Sequence, residues 1–383
     1  MSVAFYISGH GFGHAIRQIE IINTLLGLDR SRPVIVRTSA PRWLFERMVQ
    51  GPFTLIEGEV DTGLVQLDSL TIDEEQSVRR ASAFYADLPS RAREEAALLR
   101  RHDVDFVIAD APPLACESAA LAGLPSAVCS NFTWDWIYAA YADRVTLAPH
   151  VLPAVRDAYG RATAGWRMPM HGGFETVPSI LDVPFVARQP RPDRTRDDLR
   201  LTLGLPRNVP LALVSFGGYG LEGLSLDRLD CTPAWGVVVV KEGNRHGSPF
   251  VESARVDGRP IVLDESSIYS SGLRYQDLVR AVDVVITKPG YGIISDCVAN
   301  GTAILYTSRG HFAEYDVMVA EMPRYLRCRF IDGDALREGR WRTALDGLMA
   351  LPAPPETPRL DGARVVAELV ISRSSRETRS WER

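Results

Sequence analysis

Residues 281–316 read AVDVVITKPGYGIISDCVANGTAILYTSRGHFAEYD, and this pattern predicts one strand–turn–helix–strand unit. The apolar run at 282–286 is typical of a buried strand. Two glycines and a proline at 287–292 then favour a tight turn whose backbone a ligand can approach closely. A helical pattern follows, and a second strand is predicted at 303–307. The unit therefore has the strand–helix alternation of a parallel α/β sheet.

The turn of this unit is a candidate anion site at the edge of the sheet. The first free N–H groups of the helix would point at the end of a strand, an arrangement suited to a phosphate or diphosphate. Basic side chains at Arg309 and His311 follow the second strand, where open α/β sheets bind ligands. The pattern also fits an ordinary turn in which glycine serves packing. The candidate residues of the turn are Lys288, Pro289, Gly290, Tyr291 and Gly292.

Composition indicates a globular protein with room for two domains. The 383 residues are 46% apolar, and their net charge of −5 lacks the basic excess of a nucleic-acid-binding protein. No apolar stretch is long enough to cross a bilayer, and the first residues lack the basic region of a signal peptide. We therefore expect a cytoplasmic protein without transmembrane segments. The cysteines have the scattered positions of reduced core residues: Cys116, Cys129, Cys231, Cys297 and Cys328.

A second glycine loop lies near the N-terminus. A β-rich run at 2–8 leads into Gly9-His10-Gly11-Phe12-Gly13-His14, after which apolar residues recur at helical spacing. The loop is not a G-x-G-x-x-G dinucleotide fingerprint, because His14 occupies the third glycine position. Further strands are predicted at 34–36, 53–56, 106–108 and 126–129. Between them we predict helices at 41–49 and 115–122, a loop at 61–71, and a helical stretch at 72–99 that is interrupted at Pro89.

A basic, proline-rich segment at 186–200 is the predicted boundary between two domains. The second half again begins with a strand, at 211–216, that ends in a glycine loop. Helical residues at 362–371 are expected to pack back across the boundary, and 372–383 to form a frayed polar tail. The other predicted strands of this half are 236–240 and 260–263.

The motifs together resemble a known family. The chain resembles the N-terminal, glycosyltransferase-like region of plant L-arabinokinases and its stand-alone bacterial relatives. The resemblance implies a GT-B-like α/β fold, in which two Rossmann-like parallel-sheet domains face a cleft. It does not imply sugar phosphorylation, because these motifs lie outside the arabinokinase kinase domain, and fold alone does not fix function. The matching pieces, which cover nearly the whole chain up to about Arg327, are FYISGHGFGHAIR, DTGLVQLDSLTID, SNFTWDWIY, LDVPFVAR, SFGG and KPGYGIISD.

The resemblance implies a glycosyltransferase whose substrate is a nucleotide-diphospho-sugar. We expect an acceptor domain at 1–190, a nucleotide-sugar donor domain at 201–350, and a C-terminal helix and tail at 351–383. In GT-B enzymes a glycine-rich turn and helix hold the diphosphate, and an acidic residue after the next strand holds the sugar. Glu314 matches that acidic position, and Tyr315 follows where the family often has glutamine. A second loop would complete the diphosphate cradle with backbone N–H groups from Gly217, Gly218 and Tyr219.

The candidate catalytic residues lie in the N-terminal half. In many inverting GT-B enzymes a histidine at the place of His14 is the general base, since imidazole accepts a proton near neutral pH. Asp110 ends another predicted strand of the same sheet, and its carboxylate would orient that imidazole. His10 is an alternative base. His14 also fits a helix N-terminal residue that bonds to backbone, and Asp110 also fits a helix cap.

Aromatic and polar residues after a strand are the candidate acceptor site. Asn131, Trp134 and Asp135 combine a ring with amide and carboxylate groups, which suits carbohydrate. Trp134 also fits a position in the core or at the domain interface, as does its neighbour Trp136.

Neither a metal nor a cofactor is expected. Glycines separate His10 from His14 with no other ligand close in sequence, and Asp103 and Asp105 precede a strand, away from the predicted cleft.

Two alternative functions fit the same motifs. One is a nucleotide-sugar epimerase on this fold, with Glu314, Asp316 and Asp110 around the sugar ring. The other is a non-catalytic sugar- or nucleotide-binding protein.

Overall fold

The structure is a computed structural model that describes residues 1–217, 223–241 and 260–378. Two of the predicted donor-loop residues, Gly218 and Tyr219, lie outside the described residues. The strands are β1 (Ser2–Ile7), β2 (Val34–Thr38), β3 (Thr54–Glu57), β4 (Val65–Gln66), β5 (Ile72–Asp73), β6 (Val104–Asp110), β7 (Ser126–Phe132), β8 (Ala164–Gly172), β9 (Ile180–Asp182), β10 (Leu211–Ser215), β11 (Gly236–Lys241), β12 (Ile261–Asp264), β13 (Val284–Thr287), β14 (Ala303–Tyr306) and β15 (Cys328–Phe330).

Helices connect most of these strands, as the alternating sequence pattern predicts. They are α1 (Phe12–Leu28), α2 (Arg42–Met48), α3 (Glu74–Ala86), α4 (Leu88–Arg101), α5 (Pro113–Ala122), α6 (Trp134–Ala139), α7 (Ala142–Val145), α8 (Val151–Gly160), α9 (Arg196–Thr202), α10 (Glu265–Ser270), α11 (Tyr275–Ala281), α12 (Tyr291–Asn300), α13 (Ala313–Tyr325), α14 (Gly333–Arg337), α15 (Arg342–Met349) and α16 (Gly362–Thr378). None of the helices described is long and apolar enough to span a bilayer.

The N-terminal half forms a seven-stranded parallel sheet in the order β3-β2-β1-β6-β7-β8-β9. All residues of β1 are buried, as expected for a strand covered on both faces by helices. The chain winds outward in one direction from β1 and in the other from β6, and these two strands pair side by side. Ligands bind open α/β sheets at such a reversal, beyond the carboxyl ends of the strands.

The C-terminal half repeats this plan in a six-stranded parallel sheet, with the order β12-β11-β10-β13-β14-β15. Its reversal lies between β10 and β13, where Ser215 pairs with Thr287. The Thr287 hydroxyl donates to the Ser215 carbonyl at 2.6 Å and joins the two strand ends. The loops that begin at Phe216 and Lys288 therefore leave the sheet next to each other.

The last helix returns to the first half of the molecule, as the sequence predicts. Helix α16 packs against α1, and Val186 pairs with Asp361 in a short bridge between the two crossing segments. The buried face of α16 includes Val366, Ala367 and Val370. The domain boundary itself stays a prediction, although the two sheets lie on either side of residues 186–200.

Three sequence predictions need correction. Residues 61–71 are not all loop, because β4 pairs there with β5 in an antiparallel hairpin. The following helix begins at Glu74 and not at Ile72, since the Asp73 side chain accepts from the Gln76 N–H and caps it. Of the predicted tail at 372–383, residues 372–378 instead continue α16, and 379–383 lie outside the described residues. The interruption at Pro89 is confirmed, because α3 ends at Ala86 and Pro89 lies in the first turn of α4.

Candidate active site

His14 and Asp110 meet at the reversal point of the N-terminal sheet. Asp110 is the last residue of β6, and His14 lies in the first turn of α1, directly after the neighbouring strand β1. The imidazole Nδ1–H donates to Asp110 Oδ2 at 2.9 Å, because a carboxylate can only accept. The Asp110 side chain is fully buried, whereas that of His14 is 14% exposed. This geometry fixes the ring and leaves Nε2 as the nitrogen available to a ligand.

Arg17 joins this pair, although the sequence motif pointed only to the histidines of its loop. It lies one helical turn after His14, so both side chains project from the same face of α1. Its Nε donates to Asp110 Oδ1 at 2.8 Å. Burial alone would raise the pKa of Asp110, but the charges and hydrogen bonds of Arg17 and His14 lower it below its usual value. Asp110 is therefore ionised at neutral pH.

A second histidine–aspartate pair lies at the same sheet edge. His10 Nε2 is 3.5 Å from Asp61 Oδ1, and the Asp61 carboxylate also accepts from the Ser8 hydroxyl at 3.0 Å and the Trp134 indole at 2.9 Å. Burial lowers the pKa of His10 to about 4 and raises that of Asp61 to about 6. His10 is thus neutral at physiological pH. The only sequence signal for Asp61 was its place in the motif DTGLVQLDSLTID.

The predicted acceptor residues have different surroundings. Asn131 crosses between the two halves of the molecule, because its Nδ2 donates to Glu314 Oε1 at 2.9 Å. Trp134 is only 3% exposed and stacks on Tyr138, so it offers no open ring face to a sugar. Asp135 is equally buried, with Arg156 3.7 Å away. Asn131 and Trp134 both lie beside other site residues, Asn131 at Glu314 and Trp134 at the His10–Asp61 pair. Acceptor binding stays a prediction.

On the opposite side, helix α12 begins at the reversal point of the C-terminal sheet. Its N-cap, Gly290, has open space where a side chain would be, since no atom lies within 4 Å of the position that a Cβ would occupy. A Cβ on Gly292 would lie 3.5 Å from the Cα of Gly13. The first turns of α1 and α12 therefore face each other at van der Waals distance, and small residues on both make this approach possible.

Basic groups flank the start of α12. Burial and the nearby charge of Arg309 lower the pKa of Lys288 to about 7, against an opposing effect of Asp68. The Lys288 carbonyl accepts from the Thr287 hydroxyl at 3.1 Å, whereas its side-chain amine has neither a hydrogen bond nor an ion pair within the described residues. Arg309 covers the ring of Phe312 at 3.8 Å and donates to the Pro289 carbonyl at 3.4 Å. An unpaired, partly buried amine in this position suits an anionic ligand.

Two of the predicted donor residues have packing contacts. Tyr291 is buried between the halves, where its hydroxyl accepts from the Val186 N–H at 3.2 Å and Arg17 lies 5.5 Å from its ring. Tyr315 is half-buried and packs against the core.

The remaining candidates lie nearby. His311, a weaker basic candidate, pairs with Glu74 across the halves at 2.8 Å. Gly217 follows β10 on the side of Lys288, where the diphosphate cradle is predicted.

The aspartates considered for metal binding lie at the other end of the sheet. Asp105 pairs with Arg32 at 2.5 Å, and Asp103 precedes β6, whose opposite end carries Asp110. Across the described ranges, no three His, Cys, Asp or Glu side chains are grouped as metal ligands.

Comparison with known proteins agrees with the resemblance found in the motifs. No protein-family model matches the sequence. An L-arabinokinase of Arabidopsis thaliana is 27% identical over 379 residues, a match that covers 96% of this chain and 34% of the plant protein. The chain thus spans about one third of the length of this relative. The predicted similarity to L-arabinokinases is confirmed for that segment.

Solved glycosyltransferases share the fold over nearly its whole length. The kitacinnamycin glycosyltransferase superposes with a TM-score of 0.61 at 17% identity, covering 97% of this chain and 98% of the other. The calicheamicin glycosyltransferase CalG4 gives 0.60 at 15% identity, with the same coverage. Phytolacca americana UGT2, solved with UDP-2-fluoro-glucose and pterostilbene, gives 0.59 at 12% identity, covering 98% and 94%. The chain therefore has the GT-B fold of two Rossmann-like sheets, in a sequence similar to part of a plant L-arabinokinase.

Proposed function

We propose that this protein is a metal-independent glycosyltransferase that moves a sugar from a nucleotide-diphospho-sugar to an acceptor hydroxyl. One observation carries the proposal. The oriented imidazole of His14 lies at the carboxyl edge of one sheet, and the N-terminus of α12 lies beside it at the corresponding edge of the other, with the first turns of the two helices at van der Waals distance. Glycosyl transfer from a diphosphate donor requires a base for the acceptor hydroxyl and, close to it, an anion site for the leaving diphosphate.

The reaction would use His14 as general base. Its Nε2 takes the proton of the acceptor hydroxyl while that oxygen forms a bond to the anomeric carbon of the donor sugar. The bond between this carbon and the diphosphate oxygen breaks at the same time. Asp110, which accepts from Nδ1–H, stabilises the resulting imidazolium.

The leaving nucleoside diphosphate would be stabilised from the other sheet. Negative charge develops on its bridging oxygen as the bond breaks, and the free N–H groups at the start of α12 point at that charge. The amine of Lys288 adds a positive charge beside them. Glu314 would hold hydroxyl groups of the donor sugar. We propose a reaction without metal because the N–H groups of α12 and the Lys288 amine would themselves stabilise the charge of the leaving diphosphate.

Two measurements test the proposal. A thermal-shift screen against nucleotides and nucleotide-sugars first identifies the donor, because a ligand that binds only the native state raises the melting temperature. His14→Gln is then expected to lower transfer by about a hundred- to ten-thousand-fold while donor binding persists. His150→Gln, at an exposed histidine outside the cleft, is the matched control.

Three results would contradict this proposal in different ways. A near-normal transfer rate in folded His14→Gln removes His14 as the base. Conversion of a nucleotide-sugar without an acceptor would favour the epimerase. Failure of the parent protein to bind any nucleotide-sugar would remove the donor site.

A further inference from the structure

Arg17 is a buried arginine that the proposed reaction does not use directly. Its side chain is 4% exposed. Besides Asp110, its terminal nitrogens donate to Ser130 Oγ at 2.9 Å and to Asn131 Oδ1 at 2.5 Å. The planar guanidinium thus serves three partners on two strands. A lysine ammonium keeps the charge but does not reproduce this fixed fork of donors.

Asn131 extends this set of contacts across the cleft. An arginine only donates and a carboxylate only accepts, so the orientation of the amide between Arg17 and Glu314 is fixed. Its Oδ1 faces Arg17, and its Nδ2 donates to Glu314 Oε1 at 2.9 Å. Hydrogen bonds consequently run without interruption from Asp110 through Arg17 and Asn131 to Glu314.

We infer that Arg17 is a positioning residue that couples the base to the donor sugar. On one side its guanidinium holds Asp110, which orients His14. On the other it holds Asn131, which orients the Glu314 carboxylate. The inference rests on the proposed function for the roles of His14 and Glu314. Donor sugar bound at Glu314 is thereby placed in register with the imidazole, although the two belong to different sheets.

The ligand test compares the sugar nucleotide with the nucleotide alone. Arg17→Lys is expected to weaken UDP-glucose binding about tenfold, the loss of one charge-assisted hydrogen bond, and to leave UDP binding nearly unchanged. The dTDP-glucose and dTDP pair serves if the site prefers thymidine. Asn131→Ala breaks the same connection without replacing a charged residue, and it is expected to show the same difference. Arg200→Lys, a buried arginine paired with Asp283 at the far end of the other sheet, is the control.

A second readout needs no ligand. If Arg17 orients Asn131 towards Glu314, then Glu314→Ala lowers the melting temperature less in the Arg17→Lys background than in the parent. The same cycle with Arg200→Lys is expected to be additive. Additive shifts with Arg17→Lys would overturn the coupling, whether or not UDP-glucose binds.

The outcomes separate this inference from the proposed function. Non-additive melting shifts in a protein that binds no nucleotide-sugar support the connection and refute the transferase. Equal loss of UDP and UDP-glucose in Arg17→Lys indicates a general structural role and refutes the positioning role. Loss confined to UDP-glucose, together with non-additive melting shifts, supports both.

Discussion

The titration of one residue, Lys288, predicts how the binding of UDP depends on pH. The pKa of Lys288 is lowered to about 7 by burial and by Arg309. A bound diphosphate favours the protonated amine and raises this pKa, so binding takes up a proton above pH 7. We therefore expect the affinity for UDP to fall as the pH rises from about 7 to about 9.

Calorimetry of UDP binding across this range measures the effect. Lys288→Met is the matched variant, because it nearly keeps the length of the side chain and removes the titrating group. The titration of UDP itself is common to both proteins and cancels in the comparison. An equal pH dependence in Lys288→Met would show that another group is responsible.

The shifted pKa values of His10 and Asp61 have opposite effects on how folding stability depends on pH. The pKa of His10 is lowered from 6.5 to about 4, so the folding stability associated with neutral His10 is lost as the pH falls through this window. The pKa of Asp61 is raised from 3.8 to about 6, so protonation of Asp61 adds stability over the same fall in pH. The two contributions oppose each other between about pH 4 and 6.

Replacing one residue of the pair should leave the contribution of the other to the pH dependence of stability uncompensated. Asp61→Asn is expected to lose stability on acidification from about pH 6.5 to about 4 more steeply than the parent, and His10→Gln less steeply. Urea unfolding at several pH values measures both slopes. Parallel slopes in all three proteins would contradict the opposed shifts.

The sequence predicts some of the contacts between site residues and misses others. His14 and Asp110 are predictable because each follows or ends a strand of one parallel sheet, and the carboxyl ends of those strands share an edge. Arg17 and Asp61 are not, because their contacts depend on side-chain directions within α1 and on the path of the chain after β3. The sequence fits Trp134 either as a ring that faces a sugar or as a core residue, and in the structure it is buried with its N–H donating to Asp61.

At the scale of elements, the start of helix α12 gives a direct test of the anion site. Gly290 has an extended backbone, with φ of −163°, and no atom lies within 4 Å of the position that its Cβ would take. Gly290→Val is therefore expected to fold normally and to place its side chain where a diphosphate would lie. UDP affinity should fall sharply.

Gly27→Val is the matched control for this variant. Gly27 lies near the end of α1, also with open space at its Cβ position, and far along the helix from His14. Circular dichroism establishes that both variants are folded. UDP binding as tight in Gly290→Val as in the parent would place the donor elsewhere.

Strands that form uninterrupted apolar runs are predicted well from the sequence, and strands without such a run are missed. β1, β6, β13 and β14 are apolar runs that a parallel sheet covers on both faces. No strand is predicted at β8 or β9. Pro169 interrupts the apolar pattern of β8 and lies where its register with β7 shifts, and all three residues of β9 are exposed. Their pairing depends on distant partners, which local sequence does not reveal.

At the scale of the whole molecule, the two halves are predicted from repeated motifs, and two sets of contacts hold them together. The sequence predicts the first set and not the second. The expected return of α16 is observed, and it packs on the helix whose first turn carries His14. The hairpin of β4 and β5, part of which the sequence predicts as loop, reaches the opposite half. Ser69 donates to the Phe216 carbonyl at 2.8 Å, and Glu74 pairs with His311.

This hairpin contacts the chain directly after β10, at Phe216, and after β14, at Gly310. A Cβ on Gly310, which has φ of +65°, would lie 2.8 Å from the Leu70 carbonyl, so the hairpin rests directly on the segment after β14. Ser69 makes the corresponding contact to the Phe216 carbonyl, directly after β10. We expect a nucleotide-sugar to reach the site only after these contacts separate, and we expect them to re-form over the bound donor, as lids do in other enzymes.

Ser69→Ala tests this motion, because it removes one closing hydrogen bond, worth about 0.5–1.5 kcal/mol, without altering any predicted ligand contact. Opening becomes easier, so stopped-flow measurements should show UDP associating and dissociating several-fold faster, with a much smaller change in affinity. Ser31→Ala, at an exposed serine that bonds only within its own turn, is the control. If both rate constants in Ser69→Ala equal those of the parent, the hairpin does not limit access, and the donor enters by a path that leaves the two halves closed.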